Sequence, residues 1–138
     1  QRQNLRFSRR MRLMLDTHAL LWWDSEPQKF SPKAYAACMD PENNLHLSHA
    51  SIWEMQIKVQ NGKLKLRLPL ADLIRDHQSR NGLVLEAIEL PDILRLDALP
   101  FHHRDPFDRM IIVQTMQRGF HLVTLDGLIE PYGVPIFW

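Results

Sequence analysis

The chain is poor in thiols, in glycine and in charge of one sign. Its single cysteine, Cys38, excludes an internal disulfide and suits a reducing compartment. Only 5 glycines and 9 prolines are scattered through 138 residues, which excludes a low-complexity or collagen-like chain. No apolar run approaches the roughly 20 residues that span a bilayer. The arginine-rich start is followed by no apolar stretch, so neither a membrane span nor a signal peptide is expected, and the setting implied is cytoplasmic. Lys+Arg number 17 against 16 Asp+Glu, a net charge of +1. Arg2, Arg6, Arg9 and Arg10 lie in a start that holds no acid, so the rest of the chain carries −3. A body of that sign does not hold nucleic acid by charge alone. Hydrophobic residues at 45% and charged residues at 24% are ordinary for a folded soluble protein, and the length suits one core. Residues 1–10 are thus expected to be a flexible or expression-dependent basic extension, and residues 11–138 one domain.

What is present alternates between strand and helix. Arg12–Asp16 is a short apolar run closed by an acid, the pattern of a strand buried on both faces. A helix follows from Thr17. Ser31-Pro32 starts another, with Ser as N-cap and Pro at the first helical position. Leu45–Ser48 reads as a second strand, and the next helix runs to Asn61-Gly62. Leu70–Arg80 is helical, Leu83–Ile88 a third strand, and a short helix surrounds Asp92–Leu96. Asp105-Pro106 opens a helix apolar over most of its circumference that ends at Gly119. His121–Thr124 is a fourth strand, and Val134–Phe137 a fifth confined to an edge by Pro135. The order implies an α/β fold with a central parallel sheet of four to five strands flanked by helices.

Parallel sheets of this kind place their sites beyond the carboxyl ends of the strands. Asp16 and Thr17 follow strand one, Glu54 lies on the helix after strand two, Asp105 and Asp108 begin the helix before strand four, and Thr124 and Asp126 end strand four. Each acid alone has a structural explanation: a cap, a helix-dipole partner, a turn, a solvated face. Together at one edge they repel one another, and a divalent cation removes the conflict. Oxygen donors without a Cys or His cage favour Mg²⁺, with Mn²⁺ able to substitute.

These residues give the chain a resemblance to a known family. Leu15–Trp23, Ser51-Ile-Trp-Glu54 with Lys58 and Gly62-Lys-Leu64, His103–Arg109, and Leu122–Asp126, in that order, resemble the PIN-domain ribonucleases, specifically the VapC toxins of bacterial type II toxin–antitoxin systems. The likeness runs from about Met11 to the end. It implies a single PIN-like domain and a metal-dependent endoribonuclease that hydrolyses RNA phosphodiester bonds as the toxin of such a pair. It further implies a homodimer, and a cognate VapB-type antitoxin as partner. Carried over by position, the resemblance marks Asp16, Glu54, Asp108 and Asp126 as catalytic and metal-binding. Asp108 is preferred to Asp105 because the apolar Ile111–Val113 run follows it, which leaves Asp105 as a cap or outer acid. Thr17 and Thr124 can assist through their hydroxyls.

The remaining features weigh less. His46 and His49 have a zinc-like spacing, but no second pair completes a site. Trp22 and Trp23 read as core or interface residues. Lys58, Lys63, Lys65 and Arg67 form either a solvated face or a rim that guides RNA, and His102-His103-Arg104 either a phosphate contact or a solvated loop. The alternative reading of the whole is a catalytically idle PIN-like module that binds RNA or protein, although such a module need not keep four acids. A receiver-like phosphorylation domain is disfavoured: it needs paired acids after strand one, where Thr17 and His18 stand.

Overall fold

The computed structural model describes residues 10–138; the expected basic extension, Arg10 apart, lies outside the described residues. Five strands form one sheet in the order β3-β2-β1-β4-β5. They are β1 (Arg12–Leu15), β2 (Asn44–Ser48), β3 (Val84–Glu86), β4 (His121–Val123) and β5 (Ile136–Phe137), and every pairing is parallel. The helices α1 (Thr17–Ser25), α2 (Pro32–Met39), α3 (His49–Gln60), α4 (Leu70–Asn81), α5 (Leu90–Arg95) and α6 (Pro106–Arg118) connect them. The architecture is the α/β arrangement that the alternating pattern implies. No helix among the described residues is long and apolar enough to cross a membrane.

Past Arg12 the central strand is apolar because both its faces are covered. Leu13, Met14 and Leu15 are all fully buried. Successive side chains point to opposite faces, so Leu13 and Leu15 join Leu45, Leu47 and Val123 in one core layer. Met14 and Leu122 join Met110–Val113 of α6 in the other. Ser31 accepts from the Ala34 N–H at 3.0 Å and starts α2. Gly119 stops α6 at φ +68°, a conformation that costs a side-chain-bearing residue energy.

The two edge strands, β3 and β5, are shorter than the sequence pattern. The third strand is shorter than Leu83–Ile88, because β2 offers it only His46, Leu47 and Ser48 as partners. Beyond that register the Ala87 carbonyl accepts instead from Gln114 Nε2 and Arg118 of α6. At the far edge, Leu122 donates to the Pro135 carbonyl at 2.7 Å, so proline serves as an acceptor where it cannot donate.

Ile112 of α6 is fully buried in the second layer. Ile112→Ala is expected to lower the unfolding free energy by about 2–5 kcal/mol. A denaturant midpoint unchanged from that of the parent chain would place this layer outside the cooperative core.

Candidate functional site

The strand order fixes where a site can form. From β1 the chain moves one way to β2 and β3, and later returns to place β4 and β5 on the other side. The crevice at such a reversal opens between the carboxyl ends of β1 and β4. The Asp16 N–H closes its floor by donating to the Val123 carbonyl at 3.2 Å. Every acid marked in the sequence reaches this crevice or its wall.

Asp16 is nearly buried and caps α1, with Oδ1 accepting from the Ala19 N–H at 2.7 Å. From the next position the Thr17 hydroxyl donates to Glu54 Oε1 at 2.7 Å, and Ser51 Oγ lies 3.0 Å from Thr17 Oγ1. Glu54 is 5% exposed. Its other oxygen accepts from the Lys58 ammonium at 2.8 Å, one helical turn away on α3. Asp105 caps α6: its Oδ1 takes the N–H groups of Phe107 and Asp108 at 2.8 and 3.3 Å. Asp108, one turn into the helix, turns instead toward His103, with Oδ2 3.1 Å from the ring Nε2. The same Nε2 stands 2.9 Å from Asp126 Oδ2. Asp126 Oδ1 accepts from the Leu128 N–H, and the Thr124 hydroxyl oxygen accepts from the Asp126 N–H.

His103 owes its position to main-chain contacts. Its N–H donates to the Tyr132 hydroxyl at 2.8 Å, which donates in turn to the Pro100 carbonyl at 2.7 Å. The buried Arg109 guanidinium reaches the carbonyls of Leu96, Leu99, Pro100 and His103. The loop carrying His103 is therefore gripped from α6, one residue past Asp108.

Electrostatically the crevice is overloaded with negative charge. The Asp108 carboxyl is pushed up to about 7, first by burial, then by the charges of Asp105 and Asp16, with Glu54 adding to them against the opposing His103. The Asp16 carboxyl is also raised by burial. Hydrogen bonds from Thr124 and Ala19 and the charge of His18 pull it back, and Asp126 raises it further. Lys58 is held in its charged form by its bond to Glu54, with Asp105 and Asp108 adding to the field. One ligand atom each from His103, Asp108 and Asp126 lies within 4.8 Å of the others. Carboxyls raised by burial and by one another's charge fit a divalent cation, whose charge relieves the repulsion.

Other reactive groups lead nowhere comparable. Arg67 forks between Asp24 and Asp76, with His77 on Asp24, so a guanidinium already neutralises that acidic cluster. Cys38 is buried and its thiol is pushed up to about 12, which leaves no nucleophile. His46 pairs with Glu86 and stacks on Phe120 at 4.2 Å. The basic stretch divides: Lys58 turns to the acids, Arg67 to Asp24, and Lys63 and Lys65 to solvent.

Sequence reasoning underrated His103 and missed Ser51. The signal for His103 was available: it stands two residues before an Asp-Pro helix start, within reach of the same seam. Trp22 and Trp23 also part company. Trp23 packs on Phe30 and Tyr35, while Trp22 lines the crevice beside Asp16 and Asp126.

Comparison with known proteins adds an independent line. The PIN domain family model matches residues 13–130. The chain is 26% identical over 130 residues to ribonuclease VapC22 of Mycobacterium tuberculosis, covering 89% of this chain and 93% of that protein. In fold it is similar to a chain of VapBC2 from Rickettsia felis solved with a promoter DNA fragment. That match has a TM-score of 0.68 at 17% identity and covers 91% of this chain and 96% of that one. It is also similar to a chain of FitAcB from Neisseria gonorrhoeae, with a TM-score of 0.58 at 17% identity over 91% and 96% of the two chains.

The raised carboxyl of Asp108 has a measurable consequence. Its folded value of about 7 lies above the ordinary 3.8. The stabilisation from its neutral form is therefore complete below about pH 4 and lost as pH rises through about 7. In chelator, the thermal midpoint should fall between about pH 4 and 7, and Asp108→Asn should flatten that fall. Mg²⁺ or Mn²⁺ at the higher pH should restore the midpoint by binding the ionised site. An Asp108→Asn profile as steep as the parent's would assign the pH dependence to other groups.

Proposed function

Because the chain belongs to the PIN-domain family, we propose that it is a divalent-cation-dependent endoribonuclease acting as the toxin of a toxin–antitoxin pair. The observation that carries this reading is the meeting of Asp16, Asp108 and Asp126 at the β1–β4 seam, with Glu54 on the adjoining helix. The similarity to ribonuclease VapC22 supports the substrate class. The likeness to chains of VapBC2 and FitAcB supports an antitoxin partner. A cytoplasmic setting and a homodimer belong to the same reading.

In this proposal Asp16, Asp108 and Asp126 hold the cation, Mg²⁺ or Mn²⁺, with hard oxygen donors. Bound there, it supplies positive charge to the phosphoryl oxygen and lowers the pKa of a water. The chain's own groups do the rest. Glu54, fixed at one oxygen by Thr17 and at the other by Lys58, orients the attacking water and keeps free lone pairs to take up its proton. The Thr124 hydroxyl steadies Asp16. Asp105, as cap, fixes the first turn of α6 and hence the aim of Asp108. The Lys58 ammonium offers positive charge to a phosphate that must enter an acidic crevice. An antitoxin can silence such a site by placing an Arg among the same carboxylates, since the guanidinium fork matches carboxylate geometry.

Asp16→Asn keeps the cap, because Asn caps as well as Asp, but removes a charge and a strong ligand. RNA cleavage should fall by about a hundredfold or more with the fold intact, and chelation should abolish the parent's activity until Mn²⁺ is supplied. Parental cleavage by the variant in excess Mg²⁺ would remove Asp16 from the mechanism, and an inert parent would favour the idle binding module.

A second pair of variants separates the two neighbouring acids. Asp108→Asn should weaken Mn²⁺ binding and activity together, whereas Asp105→Asn should cost about 1 kcal/mol or less of stability and little metal affinity. Calorimetric titration of Mn²⁺ into both variants decides. A larger loss at Asp105 would reverse their roles.

A further inference from the structure

The crevice extends past the acids into a cleft that hydrolysis itself does not use. Asp16, His18, Trp22, Leu125, Asp126 and Trp138 enclose about 280 Å³ there. Trp22 meets Trp138 edge to face, with ring centroids 6.0 Å apart at 64°, and the exposed His18 tilts toward Trp22 at 6.1 Å. Leu125, between Thr124 and Asp126, is 58% exposed at the mouth. Consecutive helix residues point about 100° apart, so Trp23 turns to Phe30 and Tyr35 while Trp22 reaches the cleft.

We propose that this cleft is a nucleobase subsite, receiving the base of the nucleotide next to the phosphate that is cut. The inference rests on the ribonuclease reading above and adds to it what recognises the RNA. Four properties of the cleft support it. The volume lies at or below the small end of ligand pockets, roughly 300–1,000 Å³, which suits one planar ring better than a helix or a large ligand. Asp16 and Asp126 border both the acid cluster and the cleft, so a phosphate drawn to a cation on those carboxylates would put its own nucleotide's base one sugar away. The same two carboxylates repel a further phosphate, while the indoles, with Lys29 5.5 Å over the Trp22 ring and Phe30 4.9 Å from Trp138, line the cleft with aromatic surface for a neutral heterocycle. The His18 ring nitrogens can hydrogen-bond a base edge, which gives the subsite a means of preferring one base over another.

The test uses the full chain and an oligoribonucleotide with a mapped cut site, carrying an abasic residue on one or the other side of the cut. For the parent, the abasic residue at one of the two positions should lower kcat/KM roughly ten- to a hundredfold. In Trp22→Leu that penalty should vanish, because the stacking partner is already gone. Trp22 also packs against the core, so His18→Ala, at an exposed position, provides the second arm. It should keep the parent's thermal midpoint and even out cleavage rates among the four bases at the sensitive position. An abasic penalty undiminished in Trp22→Leu, with the base preference intact in His18→Ala, overturns the proposal. So does the absence of any penalty on either side. If His18→Ala loses affinity only for the cognate inhibitor protein, the cleft belongs to that partner and the proposal is wrong. If the parent cuts no RNA, the ribonuclease reading falls by itself. The subsite is then judged in chelator with the same RNA, where quenching of tryptophan fluorescence that Trp22→Leu abolishes supports it and its absence overturns it.

Discussion

Like charges do not gather unaided, and the site depends on how the backbone holds acids together against their repulsion. Asp16, Asp105 and Asp126 each give one oxygen to a main-chain N–H: of Ala19, of Phe107 and Asp108, and of Leu128. Those bonds lock the carboxylates at a helix start, another helix start and a turn, and the second oxygen of Asp126 meets His103 in the crevice. For these residues a local structural role and a functional one are the same arrangement seen from two sides. Asp108, aimed by its helix at His103 and not at a main-chain N–H, carries a pKa raised first by burial and then by its acidic neighbours. Part of the strain of assembling the acids is thus concentrated on the group whose ionisation a cation would most favour.

The parallel sheet makes the gathering possible. Because β1 and β4 are neighbours though more than a hundred residues apart, two strands deliver acids to a single edge. Glu54 enters from the side, on the helix that β2 feeds, with Thr17 linking it to the residue after Asp16. Burial of both sheet faces excludes water beneath the crevice, so charges at its rim are weakly screened and each is felt by the others.

Much of this was legible in order along the chain. Ser31-Pro32, Asp105-Pro106 and Gly119 marked helix ends because capping and φ preferences act over a few residues. The buried strands showed as apolar runs because both faces need covering. The acids fell at strand ends for the same local reason. What escaped was set through space. His103 is positioned by Tyr132 and by Arg109, and no short window of sequence contains that triangle. Trp22 and Trp23 are the same residue type side by side, and only the helix's rotation against the sheet sends one to the cleft and the other to Phe30 and Tyr35. Lys58 and Arg67 belong to one basic stretch but turn to Glu54 and Asp24, partners on different elements. The third strand came out short because its length is fixed by β2 and α6, not by its own residues.

The grip of Arg109 on its loop is made to four carbonyl oxygens, at Leu96, Leu99, Pro100 and His103. Carbonyls are common to all residue types, so the side chains along that loop, the site-facing His103 apart, can drift in evolution while the loop stays where α6 holds it. Arg109 has no such latitude: a lysine presents one compact charge where a planar fork of five donors now spans several acceptors. Across related sequences, then, this region should combine a variable loop with an unvarying arginine, and the loop's tolerance would be a measure of how completely its shape has been delegated to the helix beside it.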